Sequence, residues 1–214
     1  MKLFIWDFHG VLEKDNELAV LDISNQVLRQ AGFKQRFTKA DNHRLYGVKW
    51  YQYFEDLLPD LSHKKHLALQ AACFKFAEKN LHILHKHIKP NDYVIEVLKA
   101  IKKAGHDQVI LSNSRPADIL WFVESIGIKQ YFPDEKIIGV NAHERHEAKQ
   151  DALLHYLKGK VFDSLVIIGD SKSDMELKNV AGGVSYFYNH PGVSPTKPES
   201  DYQINDLRKV LVEV

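Results

Sequence analysis

Three short polar clusters follow apolar runs in this sequence, and they carry side chains that are suited to catalysis. The segment FIWDFHGV places Asp7 and His9 after the first run, and VILSNS ends the second run at Ser112. The segment VIIGDSKSD brings Asp170 and Asp174 after a third run. A carboxylate beside an imidazole can serve nucleophilic or general acid–base chemistry. Two carboxylates held together would repel each other unless a cation lay between them, and such oxygen ligands suit Mg²⁺.

Each cluster taken alone also has a purely structural explanation, because Asp, Asn and Ser commonly form turns and cap helices where strands end. The three clusters together are stronger evidence for a functional site than any one of them alone. In a parallel sheet the carboxyl ends of the strands lie along one edge, and ligands bind at that edge. Residues far apart in sequence can meet there, and we expect Asp7 and Asp170 to do so.

The elements that would position these clusters alternate between strands and helices. The strands are apolar nearly throughout, which is typical of a parallel sheet covered on both faces by helices. The sequence therefore predicts an α/β fold. Its predicted strands cover 2–6, 108–111, 136–140, 164–168, 184–187 and 202–204, and its predicted helices cover 18–31, 38–58, 62–87, 94–104, 116–126, 147–158, 174–181 and about 206 onward.

Charge is distributed unevenly along the 214 residues. The whole chain has a net charge of +1 and an ordinary globular composition, so no nucleic-acid partner is expected. Residues 34–90 nevertheless hold 11 Lys or Arg against 5 Asp or Glu, with six of the twelve histidines. Such a shift inside one chain indicates a separate module.

The remaining features favour structural roles. The single cysteine, Cys73, rules out an internal disulfide framework and has apolar neighbours that predict a buried thiol. No apolar run is long enough for a signal peptide or a membrane span, so we expect a cytoplasmic protein. His82 and His85 lie one helical turn apart without an interleaved Cys or acid, which favours a surface face over a metal site. The rings of KWYQYFEDLL are interpreted as core rather than as contacts to an aromatic substrate.

The motifs together resemble those of the haloacid dehalogenase superfamily of phosphatases and related hydrolases. WDFHGV resembles the family's first motif, an apolar strand followed by Asp-x-Asp-Gly, and VILSNS resembles the second, a strand that ends in Ser or Thr. Lys149 in HEAKQDALLHYL fits the third motif, a lysine that opens a helix, and GDSKSD fits the fourth, Gly-Asp-x-x-x-Asp. AGGV and SIGIKQYFPDEKIIGV resemble the phosphoglycolate-phosphatase-like branch.

This resemblance implies a fold, a cofactor and a role for each matching residue. The fold would be a Rossmann-like core of residues 1–12 and 91–214, with residues 13–90 inserted as a helical cap. Asp7 would attack phosphorus and form an aspartyl-phosphate. The implied Mg²⁺ ligands are Asp7, the backbone carbonyl of His9, Asp170 and Asp174, and the implied phosphoryl-binding residues are Ser112, Asn113 and Lys149.

His9 departs from the family pattern, since most of its phosphatases carry a second aspartate there as the general acid and base. Three interpretations follow. The first is an active phosphatase that uses His9 in this role, and the second is a haloacid dehalogenase, which also lacks the second aspartate. The third is a catalytically inactive module that retains the phosphate pocket. Asp170 and Asp174 argue against the second, because a metal-free dehalogenase does not need a metal-binding pair.

The first interpretation leads to expectations about the substrate. An imidazolium with a pKa near 6.5 becomes scarce at neutral pH, so the leaving group must increasingly depart without a proton. Aryl phosphates such as phosphotyrosine are therefore expected to be favoured over alkyl phosphates. The substrate would be a phosphorylated small molecule or a phosphoprotein, and the basic residues 34–90 could attract anionic partners.

Overall fold

A computed structural model describes residues 1–45, 48–140, 149–190 and 198–214, apart from the side chains of residues 42 and 43. The chain divides into two compact units. The core unit contains Met1–Lys14 and Pro90–Val214, and the helical unit contains Asp15–Lys89. Among the described residues, no helix is both long enough and apolar enough to cross a membrane.

The core unit is built on a six-stranded sheet in the order β5-β4-β1-β6-β7-β8, and its strand pairs are parallel. This is the predicted α/β, Rossmann-like fold. The strands of the chain are β1 (Leu3–Trp6), β2 (Glu13–Lys14), β3 (Lys89–Pro90), β4 (Asp107–Ser112), β5 (Ile137–Gly139), β6 (Leu165–Gly169), β7 (Val184–Tyr188) and β8 (Tyr202–Ile204).

Both faces of the central strand are buried. Leu3 and Ile5 of β1 point to one face, where they belong to a core cluster with residues of the helix that begins at Lys149. Phe4 and Trp6 must point to the opposite face, because side chains alternate along a strand, and both are fully buried. Burial on both sides explains why the sequences of β1 and its neighbours are continuous apolar runs.

Helices lie between successive strands of the core unit along the chain. They are α6 (Val94–Lys103), α7 (Pro116–Ser125), α8 (Lys149–Leu157), α9 (Lys172–Met175) and α10 (Leu177–Ala181), with 3₁₀ segments at Lys129–Tyr131, Asp134–Lys136 and Leu207–Glu213. The predicted helix 147–158 corresponds to α8, and its residues 147 and 148 lie outside the described residues. The predicted helix 174–181 is divided into α9 and α10.

The helical unit consists of α1 (Asn16–Gln30), α2 (Lys39–Arg44), α3 (Trp50–Leu57), α4 (His63–Lys79) and α5 (Leu81–His87). Aromatic side chains pack inside it, as where Phe37 meets Phe54 edge to face at 5.7 Å between ring centroids. Trp50 Nε1 donates to Ser24 Oγ at 2.8 Å, so its indole is held within the unit. Cys73 is fully buried, as predicted.

Three other predicted helices were also wrong in extent or type. The predicted helix 38–58 is α2 and α3, with residues 46–47 outside the described residues. The predicted helix 62–87 is interrupted at Asn80, whose side-chain amide donates to the Phe76 carbonyl and so competes with the helical ladder. The predicted C-terminal helix is the 3₁₀ segment Leu207–Glu213, where two β-branched valines disfavour a regular α-helix.

The pairing of β7 with β6 depends on Gly183. Its φ is +95°, and a Cβ at this position would lie 2.3 Å from the backbone oxygen of Leu165, at the start of β6. The preceding Gly182 also has a positive φ, +74°, but has open space where a Cβ would stand. Substitution of Gly182 therefore tests backbone strain alone, whereas substitution of Gly183 tests backbone strain together with a steric clash.

We predict that Gly183→Ala destabilises the protein considerably more than Gly182→Ala. Gly182→Ala should cost about 1–3 kcal/mol for the backbone alone, because φ +74° with ψ −165° is a conformation that essentially only glycine adopts. Gly183→Ala adds a clash that costs about 1–3 kcal/mol more. Urea unfolding of both variants measures the difference, and equal losses would contradict the steric argument.

Candidate active site

The first predicted site residue stands where the central strand ends. Trp6 pairs with Ile168 of β6 and Ile110 of β4, so Asp7 emerges between those two strands at the carboxyl edge of the sheet. Its backbone N–H donates to the Ile168 carbonyl at 2.9 Å, which fixes the backbone at this point. The side chain of Asp7 is 11% exposed, so it is largely but not completely removed from solvent.

Lys149 lies between two carboxylates at this edge. Its Nζ donates to Asp7 Oδ1 at 2.7 Å and to Asp174 Oδ1 at 2.6 Å. Burial would lower the pKa of this buried ammonium, but the charges and hydrogen bonds of Asp174 and Asp7 outweigh burial and raise it. Lys149 is therefore a fixed positive charge, and the predicted third-motif lysine contacts residues of the first and fourth motifs.

Asp174 is held by the turn that precedes it. Its Oδ2 accepts from Ser171 N–H at 3.1 Å and from Ser171 Oγ at 2.5 Å, in a capping box at the start of α9. Gly169 makes room for this arrangement, since a Cβ there would lie 2.2 Å from the Cβ of Asp174. The Gly-Asp-x-x-x-Asp spacing thus has a local steric cause: the aspartate packs over a residue without a side chain.

Asp170, the other predicted ligand, directs its Oδ2 to His190 Nε2 at 2.9 Å. Asp7, Asp170 and Asp174 each offer an oxygen within 4.8 Å of the others. Burial, followed by the charge of Asp174, raises the pKa of Asp7 to about 7, although Lys149 acts in the opposite direction. One lysine does not compensate this carboxylate group, and the all-oxygen donor set fits a hard divalent cation such as Mg²⁺.

His9 is held at both ring nitrogens. Its Nδ1 lies 2.9 Å from Glu13 Oε1, and its Nε2 lies 2.9 Å from Ser114 Oγ. Because a carboxylate only accepts hydrogen bonds, Nδ1 carries a proton and the neutral ring accepts at Nε2 from Ser114. The Phe122 ring packs edge-on against the imidazole, with the ring centroids 5.0 Å apart. Both the tautomer and the ring plane of His9 are therefore fixed.

Glu13 is fully buried, and its Oε1 also accepts from the Gly10 N–H at 3.2 Å. Burial would lower the pKa of His9, but the hydrogen bond and charge of Glu13 outweigh burial. The charges of Asp7 and Asp170 act in the same direction as Glu13. The pKa of His9 is consequently raised above 6.5, so its charged form persists to higher pH than in a free histidine.

The second motif lies at the end of β4, next to His9. The buried Ser112 hydroxyl donates to Ser114 Oγ at 3.2 Å and accepts from the Ser114 N–H at 3.2 Å. Asn113 between them is exposed. A chain of hydrogen bonds therefore runs from Ser112 through Ser114 and His9 to Glu13.

The sequence analysis missed three residues of this edge, namely Glu13, Ser114 and His190. Glu13 had one usable signal, because its four-residue spacing from His9 allows a contact across a tight turn. Ser114 belongs to the quoted VILSNS segment but received no role. His190 lies two residues after β7, where nothing in the local pattern indicates a partner 20 residues away.

Comparison with known proteins identifies a family and a relative by sequence. Residues 4–183 match the family model described as haloacid dehalogenase-like hydrolase. The phosphoglycolate phosphatase of Vibrio vulnificus is 26% identical over 159 residues, which cover 72% of this chain and 67% of that protein.

Solved structures share the fold at low identity. A haloacid dehalogenase-like family hydrolase from Streptococcus pneumoniae has a TM-score of 0.77 at 16% identity, covering 99% of this chain and 97% of that one. A predicted phosphoglycolate phosphatase from Haemophilus somnus has a TM-score of 0.78 at 17% identity, covering 100% and 97%. These likenesses concern the fold. The family model shows that the chain belongs to the haloacid dehalogenase-like hydrolase family, and the Vibrio vulnificus relative supports its being an enzyme of the phosphatase kind.

Proposed function

We propose that this protein is a Mg²⁺-dependent phosphatase that hydrolyses phosphomonoesters through an aspartyl-phosphate on Asp7. The observation that carries the proposal is the buried contact of Lys149 with Asp7 and Asp174, at 2.7 and 2.6 Å. Phosphoryl transfer depends mainly on positioning and on compensation of negative charge. A nucleophilic carboxylate beside a fixed ammonium meets both needs.

Asp7 would attack phosphorus with one carboxylate oxygen while the bond to the leaving oxygen breaks. Its pKa of about 7 without a cation means that much of it would be protonated, and therefore not nucleophilic, near neutral pH. Asp7, Asp170 and Asp174 would hold the cation together with the backbone carbonyl of His9. The chemistry supplied by bound Mg²⁺ is neutralisation of the carboxylates and of the phosphoryl oxygens.

The transferring phosphoryl group would be bound by Ser112, the backbone N–H of Asn113 and Lys149. Ser112 is the last residue of β4 and Lys149 is the first residue of α8, and both side chains are buried. Their donors are held by the protein before substrate arrives, so little reorganisation is needed when charge develops on phosphorus.

His9 would act as general acid and then as general base. Its protonated Nε2 would give its proton to the leaving oxygen, and the neutral ring would then take a proton from the water that attacks the phospho-enzyme. Glu13 is a positioning residue, because it holds Nδ1 and leaves Nε2, which lies against Ser114 Oγ, as the nitrogen that would exchange the proton. The sequence departure at His9 is thus accompanied by a buried carboxylate that suits an imidazole.

The proposed substrates are aryl phosphates, phosphotyrosine among them, either free or on a protein. A phenolate leaves without protonation far more easily than an alkoxide, since a phenol has a pKa of about 10. The preference should grow once the pH exceeds the raised pKa of His9. The Vibrio vulnificus relative is named for an alkyl phosphate, phosphoglycolate, which is therefore the natural comparison substrate.

Asp7→Asn should abolish turnover of an aryl phosphate while the fold is retained, because an amide cannot form the phospho-enzyme. Hydrolysis rate and near-ultraviolet circular dichroism are measured for this variant and for a matched control, Asp134→Asn, an exposed acid in the segment before β5. Hydrolysis by the Asp7 variant at near wild-type rate would rule out the mechanism.

Mg²⁺ should raise the melting temperature of the wild type by several degrees, because it binds the folded state only. Asp170→Asn should remove this shift and the activity together, whereas NaCl at equal ionic strength should leave both proteins unchanged. Differential scanning calorimetry gives a readout that is independent of turnover. Full activity after exhaustive chelation would contradict the proposal and favour metal-free dehalogenase chemistry.

The hydrolysis rate of His9→Ala on phosphoglycolate should be about 10²-fold or more below that of the wild type, which is the usual scale for a general acid–base group. The rate should fall less on an activated aryl phosphate, whose leaving group needs no proton. In the wild type, the limb on which activity falls with rising pH should lie above pH 6.5, since a raised pKa keeps the imidazolium present at higher pH. Glu13→Gln removes the charge of Glu13 and should move this limb to lower pH.

The measurement is a pH–rate profile of the three proteins on one aryl and one alkyl ester. The proposal for His9 would be contradicted if the hydrolysis rate of His9→Ala fell by the same factor on both esters and the falling limb of the pH–rate profile of Glu13→Gln matched that of the wild type. His9 would then only position the backbone. Absence of hydrolysis by the wild type on either ester, with phosphate still bound, would instead support an inactive phosphate-binding module.

A further inference from the structure

A second group of metal-ligating side chains lies in the helical unit, where α3 ends and α4 begins. Glu55 belongs to the last turn of α3, and His63 is the first residue of α4. His63 Nδ1 lies 2.7 Å from Glu55 Oε1. Both side chains reach solvent, with 60% of His63 and 37% of Glu55 exposed.

His66 lies one turn further along α4 and is only 3% exposed. Its Nε2 lies 2.9 Å from the Leu58 carbonyl, which can only accept, so Nε2 carries the proton and Nδ1 keeps a lone pair. That buried Nδ1 has no hydrogen-bond partner among the described residues, and it lies 3.9 Å from Glu55 Oε1. A buried acceptor without a partner is costly and calls for a ligand.

We infer that Glu55, His63 and His66 form a binding site for a transition-metal cation of the Zn²⁺ class. Each residue offers one ligand atom within 4.8 Å of the others. Tetrahedral coordination with metal–ligand bonds of about 2.0–2.1 Å separates neighbouring ligand atoms by about 3.3 Å. The distances of 2.7 and 3.9 Å around Glu55 Oε1 bracket this value, so small side-chain adjustments complete the site.

The donor set distinguishes this site from the carboxylate cluster of the core unit. Two imidazoles and one carboxylate suit Zn²⁺, whereas Mg²⁺ prefers oxygen ligands alone. The contact of His66 Nε2 with the Leu58 carbonyl is the outer-shell hydrogen bond that fixes the tautomer of a ligating histidine. Binding would displace the proton of His63 Nδ1 to solvent or to Nε2, which the exposed ring permits.

Three protein ligands leave a fourth position, which the exposure of His63 opens to water. The cation would connect the last turn of α3 to the first turn of α4 across the intervening residues 58–62. A cation that binds only the folded helical unit would stabilise that connection, independently of Mg²⁺.

The test is Zn²⁺ titration of the untagged full chain by isothermal titration calorimetry, with excess Mg²⁺ present to occupy the carboxylate cluster. We expect one tight Zn²⁺ per chain in the wild type. Glu55→Gln and His63→Ala should each weaken the affinity at least about tenfold, the scale seen even for outer-shell changes. His82→Ala is the matched control, because His82 is an exposed histidine of the same unit, and its affinity should equal that of the wild type.

His66→Ala tests the buried ligand, and Co²⁺ absorption covers the case in which this variant unfolds. Co²⁺ bound by two imidazoles in a four-coordinate site absorbs visible light strongly, whereas a six-coordinate oxygen site absorbs weakly. The strong band should appear in the wild type and in His82→Ala, and it should disappear in Glu55→Gln. Equal Zn²⁺ affinity in Glu55→Gln and the wild type, or absence of the strong Co²⁺ band from the wild type, would overturn the inference.

Discussion

The buried ammonium of Lys149 is the interaction on which the core site depends. It stands between a carboxylate at the end of β1 and another at the start of α9, and its own side chain is almost fully buried. Removing one partner from a buried charge pair typically costs about 3–5 kcal/mol, because the remaining charge is left uncompensated. Lys149 therefore ties three separate segments of the chain to one electrostatic requirement. The sheet brings these segments together, and the need to balance the charge of Lys149 determines which side chains can stand around it.

The same requirement supports the proposed cation. Lys149 is shared by Asp7 and Asp174, while Asp170 adds a third carboxylate within 4.8 Å. The raised pKa of Asp7 favours its neutral form and so removes part of this excess negative charge. A divalent cation would balance the same negative charge while Asp7 stays ionised and nucleophilic. Charge balance and catalysis therefore favour the same occupant, which links the fold to the proposed chemistry.

Much of the fold followed from sequence, because the decisive signals are local. Apolar runs that end in Asp or Ser identify the strands and their carboxyl ends, and the helical spacing of α6 and α7 is clear. The approach of Lys149 to Asp7 depended on resemblance, since nothing local relates residues 142 positions apart. Glu13 was missed because a glutamate after an apolar pair resembles an ordinary surface residue, and only tertiary packing buries it. Helix interruptions such as Asn80 depend on one side-chain hydrogen bond, which periodicity does not report.

The place of β1 at the centre of the sheet has a consequence for biosynthesis. β1 leaves the ribosome before β4 and β6, so its contacts with them must wait until those strands are made, and His9 meets Ser114 across 105 residues. The five helices of the helical unit can form in the meantime from contacts close in sequence. Closing such long loops is slow compared with local folding. The apolar first strand is therefore exposed to chaperones and to aggregation until nearly the whole core unit has been synthesised.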